Sequence, residues 1–519
     1  MLIICHVKFG GCEYKLYLCK LIDLFMTNFK YGMKKKKTAI CACLCTTLLA
    51  ITFNACETKE EMLGDRQGNP MADSVYMSDF YVGGDLSYTA ELEKAGVKYT
   101  LGGRETDLFG IFSTYGANMV KLRLWNSPTR EEYSNLITFV ESAKRVKDAG
   151  MSLLLDLYYS DSWTVTEKNT APAAWTSIVN VPGELADSVY QYTYNTLSVL
   201  RDSDVVPVAV QIGNEANDNV LVLNGNDKHS LDIERNVLLL NAGIRAVRDF
   251  NDKYDLDVKA VLNMSLENAD VLKLMEEYAR GGLCQFDVLG VSYYPQQYVY
   301  SLDKLRRVAT DVYKKYGVRL LIADTGCIWT KLWKDNSSNK LNSMPIGAPD
   351  VACSQLQKDF FMELKRVVRE NFGYGVLAWE PEWVSSDKQT RWGKGSSWEN
   401  AAFFDFNNEV LLHGGMDFMN EDNGRVTFTV DMSGAGEGRK GYIAGSFTDN
   451  GAGEWQILPM EQVDNTDVYS FTTYLSYSQC TEYYYLSDTT WVSKEGFVRK
   501  YVHPYGVKDA RCADVWNRE

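Results

Sequence analysis

The chain of 519 residues carries 54 Lys and Arg against 68 Asp and Glu, a formal net charge of −14 at pH 7. An acidic surface repels nucleic-acid phosphates, so the charge argues against nucleic acid as a partner. None of the four histidines (His6, His229, His413 and His503) stands at a predicted strand end, and no CxxC or HExxH pattern occurs, which argues against zinc catalysis and Ser/His/Asp hydrolysis.

The first 56 residues have the features of a targeting segment. Met33 begins MKKKKTAICACLCTTLLAITFNAC, in which four lysines precede a short apolar stretch and a small residue precedes Cys56. This pattern resembles a bacterial lipoprotein signal, and the apolar stretch is short for a membrane span. We expect residues 1–56 to be a spurious extension plus signal peptide, with lipid attached at Cys56. A single anchoring helix is the alternative.

The segment after Cys56 is polar, so residues 57–75 are expected to form a flexible linker. Lipidation at Cys56 would tether the protein to a membrane by its acyl chains. The expected location is therefore the cell envelope, on the outer membrane or cell surface of a Gram-negative bacterium.

Eight strand-like runs alternate with helical patterns, such as those at 131–148 and 355–371. This alternation predicts an α/β fold in which one (β/α)8 TIM barrel occupies residues 76–420. The alternative is an open doubly wound sheet, but no Gly-rich phosphate loop follows the first strand. The predicted strands are 79–86, 118–125, 152–158, 206–213, 258–264, 286–293, 318–324 and 374–380.

The character of the chain changes after Asp417. Short alternating runs (RVTFTVDM, KGYIAGSF and VYSFTTYL) are separated by Gly and Asn turns within residues 425–487. Such a pattern predicts a small all-β sandwich of its own, which we assign to residues 425–519.

Two of the predicted strands end in a carboxylate. PVAVQIGNEAND at 207–218 contains Glu215, and VRLLIADTGCIWT at 318–330 contains Asp324. Their spacing fits three βα units of roughly 35 residues each, which places them on strands 4 and 7, at the rim where barrel enzymes carry catalytic groups. A strand-end acid can instead cap the following helix. Two acids in barrel register favour a catalytic pair.

Eight motifs in order carry a resemblance to a known family. The barrel region, residues 76–420, resembles glycoside hydrolase family 53, which comprises endo-β-1,4-galactanases on a (β/α)8 barrel with retaining catalytic glutamates on strands 4 and 7. The motifs are GGDLSY (83–88), VKLRLWNSP (120–128), LLLDLYYSDSW (153–163), VQIGNE (210–215), DVLGVSYYP (287–295), ADTGCIWT (323–330), GVLAWEPEWV (375–384) and GSSWENAAFFDF (395–406).

The resemblance implies roles for individual residues. Glu215 matches the general acid/base, and Asn214 would hold the sugar 2-hydroxyl. Asp324 occupies the place of the nucleophile, Arg123 is expected near it to keep it ionised, and Tyr293 is expected to hydrogen-bond its carboxylate. Further residues fall in motifs expected to line the cleft, each with a packing role as the alternative: Asp85, Trp125, Asp161, Trp163, Trp379 and Glu380.

Two positions depart from the family pattern. The family has Glu where this chain has Asp324, and His where this chain has Tyr158. Losing one methylene withdraws the carboxylate by roughly 1.5 Å, which opens the usual retaining gap of about 5–5.5 Å toward the inverting range. Tyr158 removes a titratable neighbour and adds bulk. These departures leave open a weakened enzyme, an altered one and a sugar-binding relic.

The sequence thus predicts an endo-acting retaining hydrolase of β-1,4-galactan, monomeric and without a cofactor. A surface glycan-binding protein on a catalytically weakened barrel is the alternative, and a structural lipoprotein is disfavoured by the intact strand-end motifs. The loop at 333–342 offers oxygen ligands for calcium but few carboxylates.

The C-terminal region shows a weaker similarity, to the immunoglobulin-like carbohydrate modules appended to amylolytic enzymes. There Trp455, Tyr483 and Tyr485 are candidates for a sugar platform, while a sandwich with a purely structural role is equally consistent.

Overall fold

A closed barrel of eight parallel strands forms the larger part of the computed structural model. Glu61–Glu519 forms one compact unit. Cys56 and the predicted signal segment lie outside the described residues, as does much of the predicted linker. The described residues are 60–69, 79–129, 133–165, 168–223, 231–267, 270–298, 301–390, 392–436, 438–449 and 453–517.

All eight predicted barrel strands are confirmed, and each pairs in parallel with its two neighbours, so the open doubly wound alternative is wrong. The strands are rich in Val, Ile and Leu because both faces of a parallel barrel strand are buried. Their bounds are β1 Tyr81–Asp85, β2 Met119–Leu124, β3 Ser152–Leu157, β4 Ala209–Ile212, β5 Lys259–Ser265, β6 Val288–Ser292, β7 Arg319–Asp324 and β8 Gly375–Trp379.

Helices cover the outside of the barrel, and short polar side chains cap several of their N-termini. Asn135 accepts from the backbone N–H groups of Ile137 and Thr138, and Ser301 accepts from that of Lys304. Such caps satisfy N–H groups that have no partner within the helix. The helices are α1 Thr89–Lys94, α2 Leu108–Thr114, α3 Leu136–Asp148, α4 Pro182–Asp202, α5 Ile233–Tyr254, α6 Val271–Arg280, α7 Leu302–Tyr316 and α8 Ser354–Glu370.

The interior of the barrel changes from apolar to charged along its axis. Near the N-terminal ends of the strands, Met119, Leu154, Val261 and Leu321 belong to a closed apolar cluster. Two residues further along β2, the interior position is occupied by Lys121, which is fully buried. Because side chains alternate along a strand, Met119 and Lys121 share the inward face, and the charged layer lies toward the catalytic rim of the fold.

A β-bulge between β6 and β7 sets the direction of Asp324. Val291 pairs with Ile322, but the next pair joins Ser292 to Asp324, so Ala323 is the extra residue. Ala323 belongs to the apolar interior cluster, and regular alternation would turn Asp324 outward. The bulge re-aims Asp324 into the barrel, a use of bulges that is frequent beside functional sites.

The C-terminal region forms two four-stranded sheets, which confirms the predicted all-β region. One sheet has the order β12-β13-β9-β16 and the other β11-β10-β14-β15. Pairing is antiparallel except between β9 and β16. The strands are β9 Asn423–Asp431, β10 Tyr442–Gly445, β11 Leu458–Pro459, β12 Glu461–Gln462, β13 Val468–Ser476, β14 Cys480–Leu486, β15 Arg499–Val502 and β16 Asp509–Val515.

The segment 61–68 packs against the N-terminal end of the barrel. The backbone N–H of Leu63 donates to the carbonyl of Leu283 at 2.8 Å, and that of Gly68 donates to the carbonyl of Tyr313 at 3.1 Å. Leu63 is buried. Residues 61–68 belong to the predicted linker 57–75. They are not a free tether, because backbone N–H groups of this segment donate to the barrel.

Candidate active site

The centre of the site is an ion cluster built around Lys121. Its ammonium nitrogen lies 2.5 Å from Oδ1 of Asp324, 3.3 Å from Oδ2 of Asp85 and 3.4 Å from Oδ2 of Asp156. These side chains are buried, and Lys121 itself is inaccessible to solvent. One cation therefore faces three carboxylates in a low-dielectric interior, where at least one carboxyl is expected to retain its proton.

The pKa shifts identify which carboxyl that is. Burial raises the pKa of Asp156 to about 8, and Lys121 opposes the shift. Burial also raises the pKa of Asp324, against the lowering effect of Lys121. Gln211 donates to Oδ1 of Asp156 at 2.6 Å. Asp156 is thus the protonated carboxyl near neutral pH, and Lys121 makes its shortest contact with Asp324.

A second buried pair of acids lies beyond β8. The guanidinium of Arg123 donates to Oε1 of Glu380 at 2.7 Å. Burial raises the pKa of Glu380 to about 8, and it raises the pKa of the neighbouring Glu382 well above its usual range. Both carboxyls accept from the backbone N–H of Tyr88, at 3.2 Å and 3.1 Å, and since the pKa of Glu382 is raised furthest, Glu382 holds the proton while Glu380 pairs with Arg123.

This arrangement corrects the expected partner of the nucleophile position. The sequence prediction placed Arg123 beside Asp324, whereas the hydrogen-bonded partner of Asp324 is Lys121. Lys121 and Arg123 share the inward face of β2, and Arg123 lies nearer the rim, where it reaches Glu380 instead. Arg123 still lowers the pKa of Asp324, as a smaller effect than that of Lys121.

Glu215 stands where β4 ends, on a sharply turned backbone. Its φ is +47°, and that of Gly213 is +74°. Non-glycine residues rarely adopt this conformation, which is typical of strained functional turns. The backbone N–H of Glu215 donates to Oδ1 of Asn263 on β5 at 2.8 Å, which fixes the turn. The half-buried side chain follows the strand predicted to carry it.

Asn214 precedes Glu215 and is held on both sides by the protein. Its Nδ2 donates to the carbonyl of Thr164 at 3.1 Å, and its Oδ1 accepts from Gln211 at 3.4 Å. The structure thus orients the amide rigidly at the rim. Its expected bond to a sugar hydroxyl stays a prediction.

Tyr294 follows β6 and lies near both candidate acids. Burial raises the pKa of Tyr294 well above its usual range, and the carboxylates of Asp324 and Glu215 both add to the shift. Tyr293, the residue predicted for this role, belongs to the large apolar cluster, against which Tyr294 also packs. The expected bond of Tyr293 to the Asp324 carboxylate stays a prediction.

Aromatic side chains form the wall of the cleft around Trp163. The guanidinium carbon of Arg123 lies 3.9 Å from the centre of the Trp163 ring. Ring centres of Trp125 and Trp379 lie 5.8 Å and 5.9 Å from that of Trp163. Trp125 and Trp379 are buried, whereas Trp163 is half-buried. The three predicted cleft tryptophans therefore lie close together, and Trp163 is the one whose ring is partly exposed to solvent. The ring of Tyr158, which stands in place of the family His, is T-shaped to that of Trp163, with 6.0 Å between the ring centres.

One further predicted cleft residue, Asp161, and one acid of the loop considered for calcium, Asp335, serve loop structure. Asp161 accepts from the backbone N–H groups of Ser127 and Ala173, each at 2.8 Å, so it joins the loops after β2 and β3. In the loop proposed for calcium, Asp335 accepts from Ser337 and Ser396 N–H groups at 2.7 Å and 2.8 Å. Among the described residues, no three His, Cys, Asp or Glu side chains converge as metal ligands would.

Sequence reasoning missed three buried groups of the site: Lys121, Asp156 and Glu382. The signal for Lys121 and Asp156 was present, because a charged residue within an apolar barrel strand must face a partner in the interior. Glu382 lies in a loop after β8, and no periodicity indicates the direction of its side chain.

Comparison with known proteins places this site in a family. Residues 81–413 match the sequence profile of Glycosyl hydrolase family 53. The chain belongs to this family. The matched region includes all eight barrel strands and ends before the β9–β16 sheets, which contribute nothing to the match.

Individual relatives agree with this membership. An arabinogalactan endo-beta-1,4-galactanase of Cellvibrio japonicus is 39% identical over 328 residues, covering 63% of this chain and 86% of the relative. Arabinogalactan endo-beta-1,4-galactanase A of Emericella nidulans is 30% identical, covering 64% and 91%. The solved GH53 catalytic domain of Ignisphaera aggregans superposes with a TM-score of 0.59 at 28% identity, covering 66% of this chain and 96% of that domain.

Proposed function

We propose that the protein is an endo-acting β-1,4-galactanase that cleaves galactan chains with retention of configuration. The observation that carries the proposal is the placement of two carboxyls, Glu215 and Asp324, at the C-terminal ends of β4 and β7 of the closed barrel, with Asp324 paired to the buried Lys121. The galactanase relatives support galactan as the substrate, and the half-buried Trp163 ring offers an apolar face for a sugar. The chemistry needs no cofactor.

In this proposal the two carboxyls have separate tasks. Glu215, half-buried at the rim, protonates the departing glycosidic oxygen and later deprotonates the attacking water. Asp324, ionised beside Lys121, attacks the anomeric carbon and forms the covalent galactosyl-enzyme. Lys121 compensates the Asp324 charge, and the protonated Asp156 avoids adding a competing negative charge.

The first prediction concerns the short nucleophile. Asp324→Glu should raise the rate of galactan hydrolysis, because the added methylene advances the carboxylate by roughly 1.5 Å toward the retaining separation, and a misplacement of about 1 Å can cost on the order of a hundredfold. Parent, Asp324→Glu and Glu215→Gln are assayed on β-1,4-galactan, with the anomer of the first product followed by NMR.

Glu215→Gln should lose about 10²–10⁴-fold in rate, the usual contribution of general acid/base catalysis. Loss of activity on lengthening Asp324 would show a cleft fitted around Asp and contradict the set-back nucleophile. Galactan binding without cleavage by any of the three proteins would support the glycan-binding alternative and overturn the enzyme proposal.

We further propose that the mature protein is anchored to the cell envelope by lipid on Cys56. The lysine-rich start and the small residue before Cys56 support it. Among the described residues, no helix is long and apolar enough to span a bilayer. Cys56→Ala should move the protein from the membrane fraction to soluble or unprocessed pools, and the parent alone should incorporate an acyl label. An unchanged membrane fraction together with an unlabelled parent would refute lipidation.

A further inference from the structure

An aromatic groove lies on the outer face of the β11-β10-β14-β15 sheet, remote in sequence from the family match. Trp455 and Trp491 line the groove, and their ring centres lie 6.1 Å and 6.4 Å from that of Tyr484 on β14. The groove has a volume of about 660 Å³ and is also lined by Gln456 and Thr489. This volume is within the range of small-molecule sites, about 300–1,000 Å³.

The alternation of β14 decides which tyrosine faces the groove. Tyr483 and Tyr485, the two candidates from the sequence, are buried between the sheets, and their hydroxyls each donate to Asp514 at 3.0 Å. Both are therefore core residues and the platform prediction is wrong for them. Tyr484 lies between them on the opposite face and is half-buried.

The groove residues are exposed in a way that core packing does not explain. Trp491 is 42% exposed, whereas seven of the twelve tryptophans of the chain are buried. Lys494 holds its ammonium 4.5 Å from the centre of the Tyr484 ring, so a hydrogen-bond donor lies beside Tyr484. Indole faces beside donors and amides are the combination that receives a sugar ring, whose apolar face stacks while its hydroxyls find polar partners.

We propose that Trp455, Tyr484 and Trp491 form a second glycan-binding site, which holds a β-1,4-galactan chain apart from the catalytic cleft. The choice of galactan rests on the proposed function, because a site on the same chain that binds the same polymer keeps the substrate near the barrel. The two charges nearest the groove are of opposite sign, Glu454 in its lining and Lys494 beside Tyr484, and this balance fits a neutral polysaccharide rather than an ionic ligand.

The test measures binding in the full chain with cleavage disabled by Glu215→Gln. Titration calorimetry with a galactan oligosaccharide should give two sites per chain in this protein. Adding Trp455→Ala and Trp491→Ala should leave one site, with each lost indole weakening groove binding by about tenfold. Trp491→Phe should retain the second site. Tyr505→Ala removes an aromatic that is 80% exposed in the turn between β15 and β16 and should also retain the second site.

The outcomes separate this proposal from the function of the barrel. Two sites persisting in the double Trp variant, with its thermal transition unchanged, would overturn the groove while leaving galactan cleavage by the parent untouched. A parent that fails to cleave galactan, but loses one binding site with the two indoles, would overturn the galactanase and support the groove. If Trp491→Ala instead dissociates a dimer and leaves sugar binding intact, the groove is a contact between copies and the proposal is refuted.

Discussion

At the residue scale, the feature that distinguishes this site is the single ammonium of Lys121 among Asp85, Asp156 and Asp324. A buried lysine is stable only where its charge is compensated, and removing one partner of such a cluster leaves an uncompensated charge. The short side chain of Asp324 and its 2.5 Å contact with the Lys121 ammonium hold the Asp324 carboxylate in the buried ion cluster. Lys121 is thus a positioning residue for the proposed reaction.

The prediction for Lys121 is a shift in the pH profile. Burial raises the pKa of Asp324, and Lys121 lowers it. Removing the charge with Lys121→Met lets this pKa rise further, so the ionised nucleophile is lost at a higher pH. The acidic limb of kcat/KM on galactan should therefore move toward neutral pH, with a rate loss on the order of tenfold or more where the parent is fully ionised.

Lys121→Arg keeps the charge and should leave the acidic limb near that of the parent. A role in packing alone would lower stability in both variants without moving the limb. The decisive measurement is the kcat/KM profile of parent and both variants between pH 4 and pH 8. An acidic limb that stays in place in Lys121→Met would show that Asp324 does not depend on this ammonium.

At the element scale, the strands were predictable because long Val, Ile and Leu runs recur at barrel spacing and are bounded by helical patterns. The same alternation argument places Lys121 and Arg123 together on β2 and Tyr484 outward on β14. It fails at β7, where the bulge at Ala323 reverses the direction of Asp324. A bulge adds one residue without a distinct composition, so the sequence alone does not reveal it.

The backbone conformation of the turns after β4 and β8 could not be predicted from the sequence either. Glu215 and Glu380 adopt φ values of +47° and +43°, which a sequence without glycine at these positions does not indicate. The family resemblance implied the role of general acid/base for Glu215. The partners that support these turns, Asn263 for Glu215 and Arg123 for Glu380, come from other strands and depend on the closed barrel.

At the scale of the whole molecule, α8 joins the barrel to the C-terminal sheets through polar contacts. Asp359 accepts from the Thr473 hydroxyl at 2.8 Å and from the backbone N–H of Tyr474 at 2.8 Å. Glu363, one turn further along, accepts from the Tyr474 hydroxyl at 2.7 Å. Because these bonds fix β13 on the helix, the sheets and the barrel belong to one unit, and a titration at Asp359 affects the stability of both.

The last prediction concerns the pH dependence of this junction. Burial raises the pKa of Asp359 to about 6, against the lowering effect of its hydrogen bonds. An unfolded Asp titrates near pH 4, so between about pH 4 and pH 6 the folded state binds more protons than the unfolded state. The stabilisation of the folded state by Asp359 is therefore complete below about pH 4. It decreases as the pH rises through 6 and stays constant at higher pH.

Asp359→Asn keeps a neutral side chain of the same shape and should remove this part of the pH dependence. Relative to the variant, the parent should lose on the order of 2 kcal/mol of stability between pH 4 and pH 7, once partial exposure is discounted. Thermal unfolding of both proteins across this range measures the difference, which should reach a few degrees. Asp252→Asn, which alters an exposed carboxylate on α5, is the matched control and should parallel the parent. A parent and an Asp359→Asn variant with parallel profiles would show that Asp359 is ionised at the junction throughout, because only a proton retained in the folded state produces a pH-dependent difference.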